Sequence, residues 1–430
     1  MTTQVLEARA GNITEEMQKV AEYEQLPVEF IQEGIAKGSI VIPINQNRKK
    51  YKKIRPCGIG AGLTVKINAL YGTSSDRDSY EFEGIKLRAA EAAGCNSVMD
   101  LSTGGDIDAM RKFSLENANV AVGCVPLYQA GIESIEKNGN IVKMDPEDIF
   151  AIIEKQAADG MDFMAVHAAL NMTVLDQLQK TGRVTDVVSR GGSFMTGWML
   201  HNEKENPLYE QFDRVLEIMK KYDVVLSVGD AIRPGSLADS LDAAQIAGLI
   251  VAGELVKRAQ EAGVQVMVEG PGHVPLHHVD TTILLQKRLC HNAPYYILGT
   301  LATDIAPGYD HLTAAIGGAY AGYVGADFLC YVTPAEHLGL PTDEDVKQGI
   351  LAIKMAAHAV NIARKKTSSQ AKDLAMAQAR VALDFDKQLS FAIDPEKARA
   401  IKAKQPQQDG CAMCGTNCAS DVAAKYFGIA

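Results

Sequence analysis

The sequence predicts an α/β fold, a parallel (β/α)8 barrel, and three observations carry that expectation. From about residue 63 to residue 334 one plan recurs: a short apolar run rich in β-branched residues, a polar or Gly-containing turn, then a stretch of helical periodicity. The apolar runs are continuous rather than alternating, as strands buried on both faces require. Residues suited to polar chemistry then gather at the ends of the runs, namely Asp100, Tyr128, His167, Ser189, Asp230, Glu269, Tyr296 and His337. A doubly wound sheet would satisfy the first two observations but concentrate its site at one switch point. A barrel collects its chemistry from all the C-terminal strand ends on one rim.

Along the chain the candidate strands are LTVKIN (63–68), SVMDL (97–101), VAVGCV (120–125), DFMAVH (162–167), VVS (187–189), VVLSV (224–228), VQVMVE (264–269), YYILG (295–299) and DFLCYV (327–332). These are nine, one more than an eight-stranded barrel accepts. The clearest intervening helices fall at 79–93, 146–159, 205–221, 241–262 and 345–365, where apolar residues recur at helical spacing. Residues 1–62 stand outside the repeat as an N-terminal cap region or dimer contact, with helices expected at 14–24 and 27–37 and a basic stretch NRKKYKKIRP at 47–56. The barrel is expected over 63–344 and a helical region with Ala-rich faces over 345–402. A polar tail over 403–430 begins AKQPQQDG, a composition with little apolar area to bury.

The chain has 430 residues, 43 Lys plus Arg against 53 Asp plus Glu, and a net charge of −10, which argues against a surface built to neutralise a nucleic acid. No basic start with an apolar core and no run of 18 uncharged apolar residues is visible, so neither a secretion signal nor a membrane span is expected and the location expected is cytoplasmic. Of eight cysteines, Cys57, Cys95, Cys124, Cys290 and Cys330 are scattered, whereas Cys411, Cys414 and Cys418 crowd into CAMCGTNC. A reducing cytosol disfavours disulfides, so such a cluster binds metal or does redox chemistry. Three closely spaced thiolates suit a 4Fe–4S cluster with one open iron. A zinc knuckle completed by a remote histidine, or plain reduced thiols, are the competing readings.

Three further constellations carry chemistry. EGPGHVP (269–275) and TPAEHLGLP (333–341) place His273 and His337 after strand ends beside Glu269 or Glu336, a plausible zinc or iron site or two hydrogen-bonded structural histidines. SRGGS (189–193) offers Ser189, Arg190 and glycine backbone N–H groups to a phosphate monoester, or is simply a tight loop. VGDAIRPGS (228–236) sets Asp230 and Arg233 at the next strand end, as an acceptor and a fork donor for a ligand or as an internal ion pair.

Together VMDLSTGGDI, YQA, VSRGGS, GDAIRPGS, VMVEGPGHVPL, TDIAPGYDH, LCYVTPAEHLGLP and CAMCGTNC resemble the phosphomethylpyrimidine synthase family of thiamin biosynthesis. The resemblance implies a noncanonical radical S-adenosylmethionine enzyme with a TIM barrel and a C-terminal cluster tail. It implies a homodimer in which each tail serves the neighbouring site, and an electron donor such as flavodoxin or ferredoxin. The substrate implied is 5-aminoimidazole ribotide, from which a 5′-deoxyadenosyl radical takes hydrogen. Carried over by motif, the substrate contacts are Met99, Tyr128, His167, Ser189, Arg190, Gly191, Asp230, Arg233, Glu269 and Tyr296. His273 and His337 match the ligands of a Zn2+ or Fe2+, and Cys411, Cys414 and Cys418 the ligands of the cluster; with Glu269 these cysteines are the catalytic candidates.

The departures from the family pattern cluster at strand ends. IPANINH becomes IPINQNR (42–48), KINANIG becomes KINALYG (66–72) so that Leu70 replaces an Asn, HAGV becomes HAAL (167–170), GDGLRPG becomes GDAIRPG (229–235), and LGPL becomes LGTL (298–301). Phosphate, metal and cluster motifs are kept. That pattern is similar to the paralogous 5-hydroxybenzimidazole synthases, which turn the same ribotide into a cobamide lower-ligand precursor in anaerobes. The alternatives are a divergent phosphomethylpyrimidine synthase and, from another class, a non-catalytic zinc-dependent ribotide-binding protein.

Overall fold

The computed structural model of the chain describes residues 2–51, 54–404, 413 and 419–427. It falls into two compact units, residues 1–360 and 361–430. In the first, β1 (Ile40–Val41) and β2 (Ile59–Gly60) form a small antiparallel ribbon. Eight parallel strands then close a barrel: β3 (Lys66–Tyr71), β4 (Ser97–Asp100), β5 (Ala121–Cys124), β6 (Phe163–Val166), β7 (Val225–Val228), β8 (Val266–Gly270), β9 (Tyr295–Leu298) and β10 (Phe328–Cys330). β10 closes the ring by pairing with β3, Phe328 opposite Lys66.

The surplus strand of the sequence is VVS (187–189), and this expectation is corrected. Its three residues make no ladder. The preceding segment is tied instead to the loop after β7, where the Asp239 carboxylate accepts from Val184 N, Thr185 N and the Thr185 hydroxyl. Ser189 is the N-cap of a helix, Arg190–Asn202, one of several helices between β6 and β7. The expected helix at 205–221 divides into Pro207–Glu210 and Phe212–Tyr222, because Gln211 leaves the helical conformation at φ −108°, ψ 38°. The other expected helices appear within about two residues of their predicted ends.

The barrel interior is filled by rings. Phe163 meets Phe328 edge-on at 6.3 Å, and Tyr296 lies 4.4 Å from Phe328. A Cβ on Gly123 would stand 2.2 Å from the Phe163 ring, so only glycine lets that ring into the core.

Below the barrel the N-terminal helices Gln4–Arg9, Glu15–Glu24 and Val28–Ala36 share their own apolar cluster around Met17, Ile31, Ile35 and Ile42. They are fastened to residues just before the strands. Gln4 N donates to Asp223 at 2.9 Å, Ile42 N to Gln265 at 2.7 Å and Asn45 N to Asp162 at 3.0 Å. Buried Lys66 pairs with Glu24 at 2.7 Å. The first basic residue of the stretch, Arg48, is itself buried, forms an ion pair with Asp162 and donates to the carbonyls of Leu115 and Ala118. The described residues ahead of β3 therefore pack at the N-terminal ends of the strands, opposite the C-terminal rim where barrels place their chemistry.

The second unit is helical, with Thr367–Val381, Phe385–Phe391 and Pro395–Ala403 packed in succession and a further helix at Ala419–Phe427. Cys411, Cys414 and Cys418 lie outside the described residues. No helix among the described residues is long and apolar enough to cross a membrane.

Candidate active site

A cavity of about 530 Å³ opens at the C-terminal ends of the strands, lined by residues of six barrel strands and the loops that follow them. Met99, Tyr128, His167, Arg233, Glu269 and Tyr296 all reach it, six of the ten substrate contacts expected from sequence. Leu70 lines it too, beside Met99 across the β3–β4 ladder. Side chains alternate across a strand, so with Met99 facing in, Asp100 faces out. Its carboxylate accepts from Ser102 N at 3.0 Å and the Ser114 hydroxyl at 3.1 Å, which corrects its sequence reading as a rim residue. Asp230 lines a smaller cavity next door, against the helix Ala243–Ala262, and Glu269 borders both spaces.

Burial sets the charges here. It pushes the Glu269 carboxyl up to about 7, against the pull of Arg233 and a 3.1 Å hydrogen bond donated by the Ser227 hydroxyl. It pushes Asp230 up to about 6, against Arg233 and Arg183. It drives His167 down to about 3, with Arg233 adding repulsion, so the imidazole is neutral at neutral pH. His167 is 3% exposed and its Nδ1 has no hydrogen-bond partner, an orphaned polar atom in the wall of a cavity. Titratable groups shifted this far, around one pocket, make it a candidate functional site.

Ser189, Arg190 and Gly191 adjoin this wall on the first turn of the helix Arg190–Asn202 rather than on a strand end. The Ser189 hydroxyl accepts from Gly192 N at 3.2 Å. Arg190 lies over the Tyr128 ring at 5.1 Å. A Cβ at Gly191 would fall 2.3 Å from the His167 ring, so glycine is required for the imidazole to sit under the helix start.

His273 and His337 come together further out on the rim, ring centroids 5.5 Å apart. The carboxylates that reach their Nδ1 atoms are not those of Glu269 or Glu336, and in that respect the expectation is corrected. His273 Nδ1 meets Asp304 at 2.7 Å and His337 Nδ1 meets Asp310 at 3.2 Å. Each ring thereby keeps Nε2 for a metal, in the carboxylate–histidine arrangement that orients metal-binding imidazoles. Among the described residues no set of three His, Cys, Asp or Glu side chains gathers that could hold a metal ion, and the two imidazoles are the candidate donors here.

Sequence reasoning missed Asp304 and Asp310, although both stand in TDIAPGYDH, a polar segment with Gly and Pro directly after a strand. It also missed Leu101 and Leu298, which join Leu70 in giving the cavity an apolar side. Asn68, at the cavity floor, donates to the Tyr296 hydroxyl at 2.7 Å and accepts from Ser97 at 2.7 Å, and so fixes that ring.

A parallel barrel that gathers a neutral imidazole, a guanidinium and a protonatable carboxyl around one rim cavity defines a barrel enzyme acting on a small polar substrate. Which chemistry runs there follows from kinship. The chain belongs to the Radical SAM ThiC family, whose model matches residues 3–425. It is 67% identical over 427 residues, 99% of the chain and 100% of the relative, to the 5-hydroxybenzimidazole synthase BzaB of Moorella thermoacetica. It is 61% identical to the protein of the same name from Eubacterium limosum, with both chains covered in full. Identity to a phosphomethylpyrimidine synthase of Thermoanaerobacter is 56%, over 99% of the chain and 98% of that relative. Membership implies a 4Fe–4S cluster and S-adenosylmethionine, and the three-thiolate donor set of the tail has the right chemistry for a cluster with one open iron.

Proposed function

We propose that the chain converts 5-aminoimidazole ribotide to 5-hydroxybenzimidazole, a cobamide lower-ligand precursor. The observation that carries this reading is Leu70 in the wall of the reaction cavity, where the sequence comparison with pyrimidine synthases expects an amide. The higher identity to the two BzaB proteins supports it.

On this reading the ribotide phosphate is held by Ser189, Arg190 and the N–H groups at the start of the helix Arg190–Asn202. Asp230 and Arg233 hold the ribose. His167, neutral and unpartnered at Nδ1, gives the substrate one directed hydrogen bond. Glu269, poised near neutrality, holds or releases a proton at its carboxyl oxygens as the ring is rebuilt. Tyr296 and Met99 pack the heterocycle, and Leu70, Leu101 and Leu298 keep water from that side. The cluster at Cys411, Cys414 and Cys418, when bound, supplies the electron that splits S-adenosylmethionine. His273 and His337 would hold a zinc or iron. The enzyme works in the cytoplasm as a homodimer whose residues 403–430 reach the neighbouring site, and takes electrons from a flavodoxin or ferredoxin.

One anaerobic incubation tests the conversion: cluster-reconstituted protein with aminoimidazole ribotide, S-adenosylmethionine and reductant, read by mass spectrometry. Hydroxybenzimidazole is expected; the pyrimidine phosphate in its place overturns the proposal. Cys414→Ala should abolish deoxyadenosine while leaving ribotide binding within about twofold, since the tail and the cavity supply separate functions.

A further inference from the structure

Asp304 makes two contacts with different oxygens. Oδ1 lies 2.7 Å from Nδ1 of His273, and Oδ2 accepts from Leu237 N at 2.8 Å. Leu237 belongs to the loop that leaves β7 through Asp230 and Arg233, four residues after the guanidinium that lines the cavity. That loop is short of freedom. It contains Pro234, turns through a 3-10 segment Leu237–Asp239, and is pinned by Asp239 to residues 184 and 185. His273 is held as firmly on its other side, where Leu301 N donates to Gly272 O at 2.6 Å and Val274 N to Leu301 O at 3.3 Å. One carboxylate thus stands between a candidate metal ligand and the strand-end loop that carries Arg233. Asp310, which bears on the second histidine through Oδ1, has no such second anchor among the described residues: its Oδ2 is buried without a hydrogen-bond partner.

We propose that Asp304 is a positioning residue that couples metal binding at His273 to ribotide binding at Arg233. This rests on the reading that a metal sits between His273 and His337 and the ribotide in the cavity. A ribotide that engages Arg233 removes the freedom the loop keeps between Asp230 and its pinned turn, and so strengthens the hold of Leu237 N on Asp304 in the place where it orients the His273 ring. The metal then meets a ligand already aligned, and binds more tightly. By linkage the metal must tighten ribotide binding by the same factor.

The test is made anaerobically on the full-length protein with its 4Fe–4S cluster reconstituted, so that the tail thiolates are occupied, and otherwise free of metal, by titrating Zn2+ against a chelator with and without aminoimidazole ribotide. No turnover is involved. Wild type should bind zinc at least ~5-fold more tightly with ribotide present, the lower end of usual coupling. Asp304→Asn should lose ~10–100-fold in zinc affinity, as for other partners of metal-bound histidines, and the ribotide effect should shrink to within about twofold. Asp310→Asn should weaken zinc comparably and keep the wild-type ratio, a split that general loosening of the site would not produce. Calorimetry of ribotide binding with and without zinc must return the same factor. The proposal is overturned if Asp304→Asn keeps the wild-type ratio, or if wild type shows none. Failure of the underlying metal reading looks different: His273→Ala would then bind zinc as wild type does.

Discussion

Glu269→Gln should stabilise the protein, and should do so more as the pH rises. The folded chain holds the Glu269 carboxyl at about 7 against an ordinary 4.5, chiefly through burial. Between those two values the folded state binds a proton that the unfolded state has released. The stability linked to that proton is fully present below about 4.5 and is lost as pH rises through about 7. At about 1.4 kcal/mol per pH unit the gap corresponds to ~3 kcal/mol, most of which develops between pH 5 and pH 8.5. An unfolding entropy of about 2.1 cal/mol/K per residue gives ~0.9 kcal/mol/K for a chain of 430 residues, so the melting temperature should respond by ~3 °C. The glutamine keeps the size of the side chain and still accepts from Ser227, and the buried acids that do not act on Glu269 are common to both proteins and cancel; Asp230, whose charge bears on Glu269, titrates with it as a pair. Melting curves of the two proteins at pH 5 and pH 8.5 decide it. A difference between them that is constant within about 1 °C across that range would refute the reasoning, because it would mean that the carboxyl ionises as it does in water.

Two other substitutions probe the cavity. Gly191→Ala places a methyl 2.3 Å from the His167 ring, which must shift to admit it; calorimetry should show ribotide affinity reduced at least ~10-fold and melting a loss of ~1–3 kcal/mol. Leu70→Asn returns an amide to the apolar side of the cavity, and mass spectrometry should show hydroxybenzimidazole reduced more than ~10-fold while deoxyadenosine still forms; an unchanged product yield would remove Leu70 from the explanation of product choice.

The barrel was legible because continuous apolar runs survive every reading frame of a strand buried on both faces. VVS (187–189) deceived for the same reason in reverse: three residues carry the composition of a strand without the length for a ladder, and Val188 is in fact 43% exposed. The inward set Met99, Tyr128, His167, Arg233, Glu269 and Tyr296 was legible from position at run ends together with motif resemblance. Asp100 was misplaced because a strand end names two residues and only the pleat decides which one faces inward. Asp304 and Asp310 were out of reach of spacing arguments, since each acts on a histidine about 30 residues away in sequence, 31 for Asp304 and His273. Glu269 was chosen from sequence, but the value of its carboxyl could come only from the burial that the folded rim imposes.

The cap that seals the lower rim gives the chain a timetable. The Thr3 hydroxyl bonds to Gly263 O, 260 residues further on, and Ile42 waits 223 residues for Gln265. At synthesis rates of about 5–20 residues per second, those partners emerge on the order of tens of seconds after the cap itself. During that interval Met17, Ile31, Ile35, Ile42 and Leu63 have one another, a cluster that can form before any barrel exists. The late contacts are polar side chains and carbonyls at the strand starts, groups that water satisfies until the barrel arrives. The order of synthesis and the chemistry of the lower rim therefore agree: apolar surface is hidden early, and the bonds left to wait are the ones that can wait in water.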